Sequence, residues 1–133
     1  MIYNSSQVID NANNTFILSS GGSETVVELT PGEYTLNTFR DHVEEQLNII
    51  TGMMNTWVFT LNIVNNKYHI KNTHHDYLLL WERSKSEAYK LFGARKIDDI
   101  QIKKADNEYI FDDIPQHNTT FIDVVIDEVP YKG

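Results

Sequence analysis

The clearest alternation of apolar and polar positions begins at Trp57. Trp57, Phe59, Leu61 and Ile63 are interleaved with Val58, Thr60, Asn62 and Val64, Asn65-Asn66 follows, and Tyr68 and Ile70 then alternate with Lys67, His69 and Lys71. A period of two is that of a strand with one buried face. Two such runs about a tight Asn-Asn pair predict a β-hairpin, because Asn tolerates the left-handed backbone of a type I′ turn. On this reading His69 faces solvent, opposite Tyr68 and Ile70. Residues 14–19 and 24–30 are a second pair of strand-like runs, with Gly21-Gly22 between them to supply the permissive turn. Pro31-Gly32 ends the second run. Pro fixes φ and Gly accepts positive φ, as a type II turn requires.

The period changes after residue 35. Phe39, Val43, Leu47 and Ile50 lie at spacings of four, four and three, one stripe of a helix, while Arg40, Asp41, Glu44, Glu45 and Asn48 fall elsewhere and can face water. Thr35 or Asn37 can serve as its N-cap. If Thr35 is the cap, Tyr34 and Phe39 are placed for a hydrophobic staple. Gly52 is a natural stop. Residues 77–81, Tyr-Leu-Leu-Leu-Trp, read as a short strand buried on both faces. Ser84 or Ser86 can cap a short helix whose apolar face is Ala88, Leu91 and Phe92, closed by Gly93. Residues 103–118 read as a polar loop with one apolar patch, Tyr109, Ile110 and Phe111. The last predicted strand is 120–129, with Ile122, Val124 and Ile126 on one face, Phe121, Asp123, Val125 and Asp127 on the other, and Pro130 ending it. The pattern predicts a flexible N-terminal arm, 1–13, and a single α+β domain, 14–133. That domain is a mostly antiparallel β-sheet or sandwich with one longer and one short helix.

Composition narrows the function. The chain has 133 residues, enough for one domain with a real core. It has no cysteine, which removes disulfides, thiol catalysis and thiolate metal sites. The net charge is −8, from 19 acidic and 11 basic residues, which disfavours direct binding to a phosphate lattice or to anionic lipid. No apolar run approaches the ~20 residues of a membrane span. The opening residues lack the basic-then-apolar order of a secretory signal, so none is expected.

Candidate chemistry is sparse. Neither GxGxxG, GxxxxGK[ST], G-x-S-x-G nor HExxH occurs. His74-His75-Asp76 is the one cluster with metal-ligand residue types, but neighbours on a strand point to opposite faces, so it reads as a polar turn. The acidic pairs Asp98-Asp99 and Asp112-Asp113 lack the spacing of a calcium loop and read as solvated acids. A small hydrolase or metal enzyme would have to rest on these groups. The sequons at Asn4, Asn13 and Asn118 follow from a chain rich in Asn and are not read as glycosylation sites. No catalytic residue, cofactor or metal is expected. Trp57 and Trp81 fit core positions, although Trp57 begins its strand and can sit at a sheet rim. Trp57, Trp81 and Tyr131 are the candidate partner-binding aromatics.

One ordered series of motifs carries a resemblance. Pro31, Gly32, Tyr34 and Thr35 form a P-G-x-Y-T turn after an extended segment, and Phe39, Val43, Leu47 and Asn48 form the helix that follows. A hairpin comes next, Phe59 through Ile70, then Leu91-Phe92-Gly93, and the chain closes with 124–130. The series resembles a module of virion structural proteins from eukaryotic double-stranded DNA viruses, including giant viruses, virophages and polinton-like viruses. Leu91-Phe92-Gly93 departs from the module's usual order of Leu, Gly and Phe. The resemblance implies a capsid, penton, fibre-base or minor capsid part, located in the virion, with other capsid or virion proteins as partners. It also implies a homo-oligomer, with no catalytic residues carried over. The alternative is a carbohydrate- or receptor-binding module, such as a viral attachment head, using the three aromatics.

Overall fold

The computed structural model describes residues 2–52, 56–84, 86–95, 99–106 and 108–122. Among these the order is β1 (Ile2–Ile9), β2 (Thr15–Ser20), β3 (Ser23–Glu28), β4 (Gly32–Tyr34), α1 (Leu36–Thr51), β5 (Trp57–Asn62), β6 (Lys67–Asn72), β7 (Tyr77–Leu80), a 3-10 turn (Glu82–Ser84), α2 (Ala88–Phe92), β8 (Ile100–Ile102), β9 (Tyr109–Ile110) and β10 (Asn118–Ile122). The strands form three antiparallel sheets with orders β10-β1-β4, β3-β2-β7-β8 and β5-β6-β9. The fold is α+β, with one long and one short helix, as the pattern predicts.

Local chemistry accounts for the long elements. Gly21 and Gly22, at φ 57° and 84°, turn β2 into β3, and Ser20 faces Ser23 across the turn. Thr35 is the N-cap of α1: its Oγ1 accepts the Thr38 N–H at 3.0 Å, and Thr38 Oγ1 accepts the Thr35 N–H at 2.8 Å. This is a capping box with Thr in place of the usual Glu or Gln. Tyr34 and Phe39 meet edge to face at 6.5 Å and supply the staple. Gly52 closes α1 in the left-handed conformation, at φ 69°. The N-cap of α2 is Glu87, with no side-chain cap bond, rather than Ser84 or Ser86; Ser86, one residue earlier, accepts the Ala88 N–H on its Oγ at 3.2 Å.

The core is dominated by aromatic rings. Phe92 lies within 5.6 Å, centroid to centroid, of Phe16, Phe39, Phe59, Trp81 and Phe111, so it joins α1 to the sheets that hold β2 and β5.

Several expectations change. The N-terminal segment expected as an arm instead supplies β1, which pairs with both β10 and β4. Ile9 is buried there, as is Gln7, whose Nε2 donates to the Leu91 and Gln116 carbonyls at 2.9 and 3.0 Å. A run of Asn and Ser becomes a strand because its neighbours use its backbone rather than its side chains. Gly32 takes the expected positive φ, 153°, but it opens β4 opposite Ile9 and does not close a type II turn. The patch in the predicted loop is β9 plus Phe111, a fully buried core residue. In β7, Leu78 is exposed while its neighbours are buried, so that strand is covered on one face more than the other. The final strand begins at Asn118, and its predicted part beyond Ile122 lies outside the described residues. No helix among the described residues is long and apolar enough to cross a membrane.

Candidate functional site

Trp57 and Trp81 are core residues, 2% and 0% exposed. Trp57 lies against Tyr77 at 4.7 Å, and Trp81 against Phe16 and Phe92 at 5.8 and 5.2 Å. As the chain is folded, neither ring has a face to offer a partner, which corrects their place among the partner-binding candidates. Tyr131 lies outside the described residues.

The polar candidates are accounted for by turns. Asn72 Oδ1 accepts the N–H groups of His74 and His75, each at 2.8 Å, and Asp76 Oδ1 accepts the Lys104 N–H at 2.9 Å. The His-His-Asp run therefore fastens the turn after β6 to the turn after β8, with both imidazoles exposed. Among the described residues no group of three or more His, Cys, Asp or Glu side chains converges. Asp112 and Asp113 are exposed, with Asp112 3.5 Å from Arg95. Asp99 is also exposed, and Asp98 lies outside the described residues. His69 is buried, contrary to the alternation reading. Pairing with β9 makes β6 a central strand, and His69 Nδ1 lies 2.9 Å from Glu108 Oε1 while its Nε2 is buried with no hydrogen-bond partner.

The surface that invites contact is arranged around α1. Its core stripe, Phe39, Val43 and Leu47, is flanked by two others. On one flank Arg40 Nη1 donates to the Phe59 carbonyl at 2.7 Å, Glu44 Oε2 accepts the Phe59 N–H at 2.9 Å, and Asn48 Oδ1 accepts the Trp57 N–H at 3.2 Å. Spacings of four align these side chains on the helix, so they reproduce the donor and acceptor row of a neighbouring strand. The outer edge of β5 is thereby closed to strand addition. A helical wheel alone puts these residues in water. What it does not show is the strand lying beside them.

On the other flank His42 Nε2 accepts the Thr30 N–H at 2.9 Å, and its ring stacks on Tyr34 at 5.3 Å. Burial lowers the His42 pKa from its ordinary 6.5, and Glu45 opposes the shift. Beyond His42, α1 stands back from β3. A groove of about 450 Å³ opens there, lined by Val26, Glu28, Leu29, Pro31, Gln46 and Ile50, with Thr30 beside His42. The Leu29 N–H donates to the Asn14 carbonyl at 2.6 Å. By the alternation of an antiparallel ladder, the backbone groups of Val26 and Glu28 then point away from β2, toward the groove.

The second feature is the tip of the β5–β6 hairpin. The connection is a four-residue turn, not Asn65-Asn66 alone. The Asn66 N–H donates to the Asn62 carbonyl at 2.8 Å, and Asn66 alone among the described non-glycine residues has positive φ, 57°. Asn62 Oδ1 accepts the Val64 N–H at 2.8 Å and Asn65 Oδ1 the Lys67 N–H at 3.0 Å. With its polar backbone groups held internally, the tip presents Ile63 at 84% exposure and Val64 at 91%. The alternation reading placed both in a strand. The signal that marks them is the break in alternation, two adjacent β-branched residues between asparagines.

The chain matches no known family model, no curated protein and no solved structure. The hairpin is fixed to the rest of the molecule at its base. Tyr68 Oη lies 2.7 Å from the Leu36 carbonyl and 3.0 Å from Gln7 Oε1. Burial pushes its phenol well above the usual range, against the opposing influence of Arg40. Tyr68 is therefore a neutral anchor. The chemistry available on this surface is apolar contact, backbone pairing and charge, the means of docking.

Proposed function

We propose that this protein is a non-enzymatic structural or assembly component of a eukaryotic double-stranded DNA virus particle, acting through protein–protein docking. The observation that carries the docking part is the hydrogen-bonded hairpin tip with Ile63 and Val64 exposed to solvent. Leaving two β-branched side chains in water forgoes roughly 3 kcal/mol or more of burial. A turn held by two asparagines, with no need for apolar residues in its own fold, gains from that display only when another surface covers it. The virion part rests on the ordered series from Pro31-Gly32 through the hairpin to Gly93, in which a capping box and staple fix the start of α1. A sugar-binding head built on Trp57 and Trp81 has little support, since both rings are buried.

Mass spectrometry of purified particles, together with co-purification of the chain with the particle's major capsid protein, tests this reading. Presence at stoichiometric ratio to a capsid protein is the expected result. Absence from particles, with no association to any capsid protein, defeats it.

A further inference from the structure

The hairpin tip and the groove beside β3 are complementary in shape, polarity and charge. Resting on the docking role proposed above, we infer that the occupant of the groove is the Ile63-Val64 tip of a second copy of this chain, in a head-to-tail contact.

Three observations on the molecule lead there. The first is polarity. Ile63 and Val64 are the most exposed large apolar residues described, and the groove offers Val26, Leu29, Pro31 and Ile50 as an apolar floor and wall. Its volume of about 450 Å³ accommodates two side chains of that size.

The second is charge. Residues 46–75, which include the hairpin, contain no Asp or Glu but carry Lys67 and Lys71. Residues 1–45, which include β3, carry seven acids and one base, Arg40. Lys67 at the base of the tip and Glu28 at the groove each lack an ion pair among the described residues. In a chain of net charge −8, a contact that sets the longest acid-free stretch against an acidic one is the arrangement self-association favours.

The third is geometry. Along β5, Trp57 is tied to Asn48 near the end of α1, Phe59 to Arg40 and Glu44, and Tyr68, opposite Leu61, to Leu36 at its start. The tip therefore extends past the N-terminal end of α1, whereas Gln46 and Ile50 place the groove along its C-terminal half. A tip cannot reach the groove of its own chain. Knob and hole are separate patches, so each contact sets the tip of one copy in the groove of the next, and its repetition in one direction generates a ring or an open array.

Analytical ultracentrifugation of the purified chain over a concentration series, at low and high salt, tests the inference. The wild type associates with rising concentration, and less at high salt. The double variant Ile63→Asp/Val64→Asp, at positions already in solvent and so compatible with folding, weakens association about a hundredfold or more. Lys67→Glu and Glu28→Lys each weaken it alone, and an equimolar mixture of those two variants recovers it, because each tip then meets a groove of opposite charge. A wild type that stays monomeric at the highest concentration overturns the inference, as does an Ile63→Asp/Val64→Asp protein that associates like wild type, or a mixture without recovery. A monomeric wild type that is nonetheless present in particles removes this contact and leaves the virion reading intact. Self-association of the kind described, in a chain absent from particles, does the reverse.

Discussion

The two flanks of α1 meet strand edges in opposite ways. Toward β5, Arg40, Glu44 and Asn48 fill the outward backbone positions of Phe59 and Trp57 with side-chain donors and acceptors. Toward β3, contact narrows to His42 on Thr30, and past it Gln46 and Ile50 leave an open groove. Both edges are six-residue strands, and both are hazards for unplanned pairing. The difference shows that the uncharged strand β5 is protected by the helix beside it, whereas β3 carries Glu24 and Glu28 of its own. A helix of 16 residues with one apolar stripe has two polar shoulders, and what each does depends on what the fold sets next to it.

The core beneath both flanks sets the upper limit of any comparison between them. Phe92→Ala removes the ring that five others touch, and the expected loss is about 3–5 kcal/mol in urea denaturation. A loss much smaller than this would mean that the flanks, not the shared core, hold α1 in place. Next in size is the closed flank. Glu44→Ala leaves the Phe59 N–H without its acceptor in a half-buried setting and is expected to cost about 1–3 kcal/mol, with hydrogen exchange rising first at Phe59.

The single contact on the open flank comes third. His42→Ala removes the acceptor for Thr30 and is expected to cost about 1 kcal/mol at mildly alkaline pH. That cost is expected to shrink in acid. The folded-state pKa of His42 lies below 6.5, so the unfolded chain binds more protons as pH falls through that value. Its contribution is complete above 6.5 and is lost as pH drops toward the folded pKa, and the slope disappears in the variant. Smallest are Val26→Thr and Ile49→Lys on the open side, expected within about 0.5 kcal/mol of wild type. A larger loss at Val26 would show that the groove is part of the fold's support and not a free surface.

The elements most legible from residues alone were those whose neighbours in sequence are their neighbours in space. The Gly21-Gly22 turn, the hairpin from Trp57, the helix after Thr35 and its stop at Gly52 depend on local backbone preferences and on one-face periodicity. The choice between Thr35 and Asn37 needed only the reciprocal bonds of Thr35 and Thr38 to settle it. The strands without a local signature, β1, β4, β8 and β9, are short or polar and exist through partners distant in sequence. Ile2 pairs with Ile122, Ile9 with Gly32, Tyr77 with Ile102 and Ile70 with Tyr109.

The same division separates what each level determined about the surface. Residue order by itself specified an α+β chain with an acid-free hairpin and no reactive motif, because composition, period and turn chemistry are properties of short stretches. Only tertiary structure decided that Trp57 and Trp81 lie inside, that His69 is buried, that Arg40, Glu44 and Asn48 serve a strand edge, and that Ile63 and Val64 stand in water. Burial is a relation between surfaces far apart in the chain, and no local pattern states which surface will arrive to cover a given side chain.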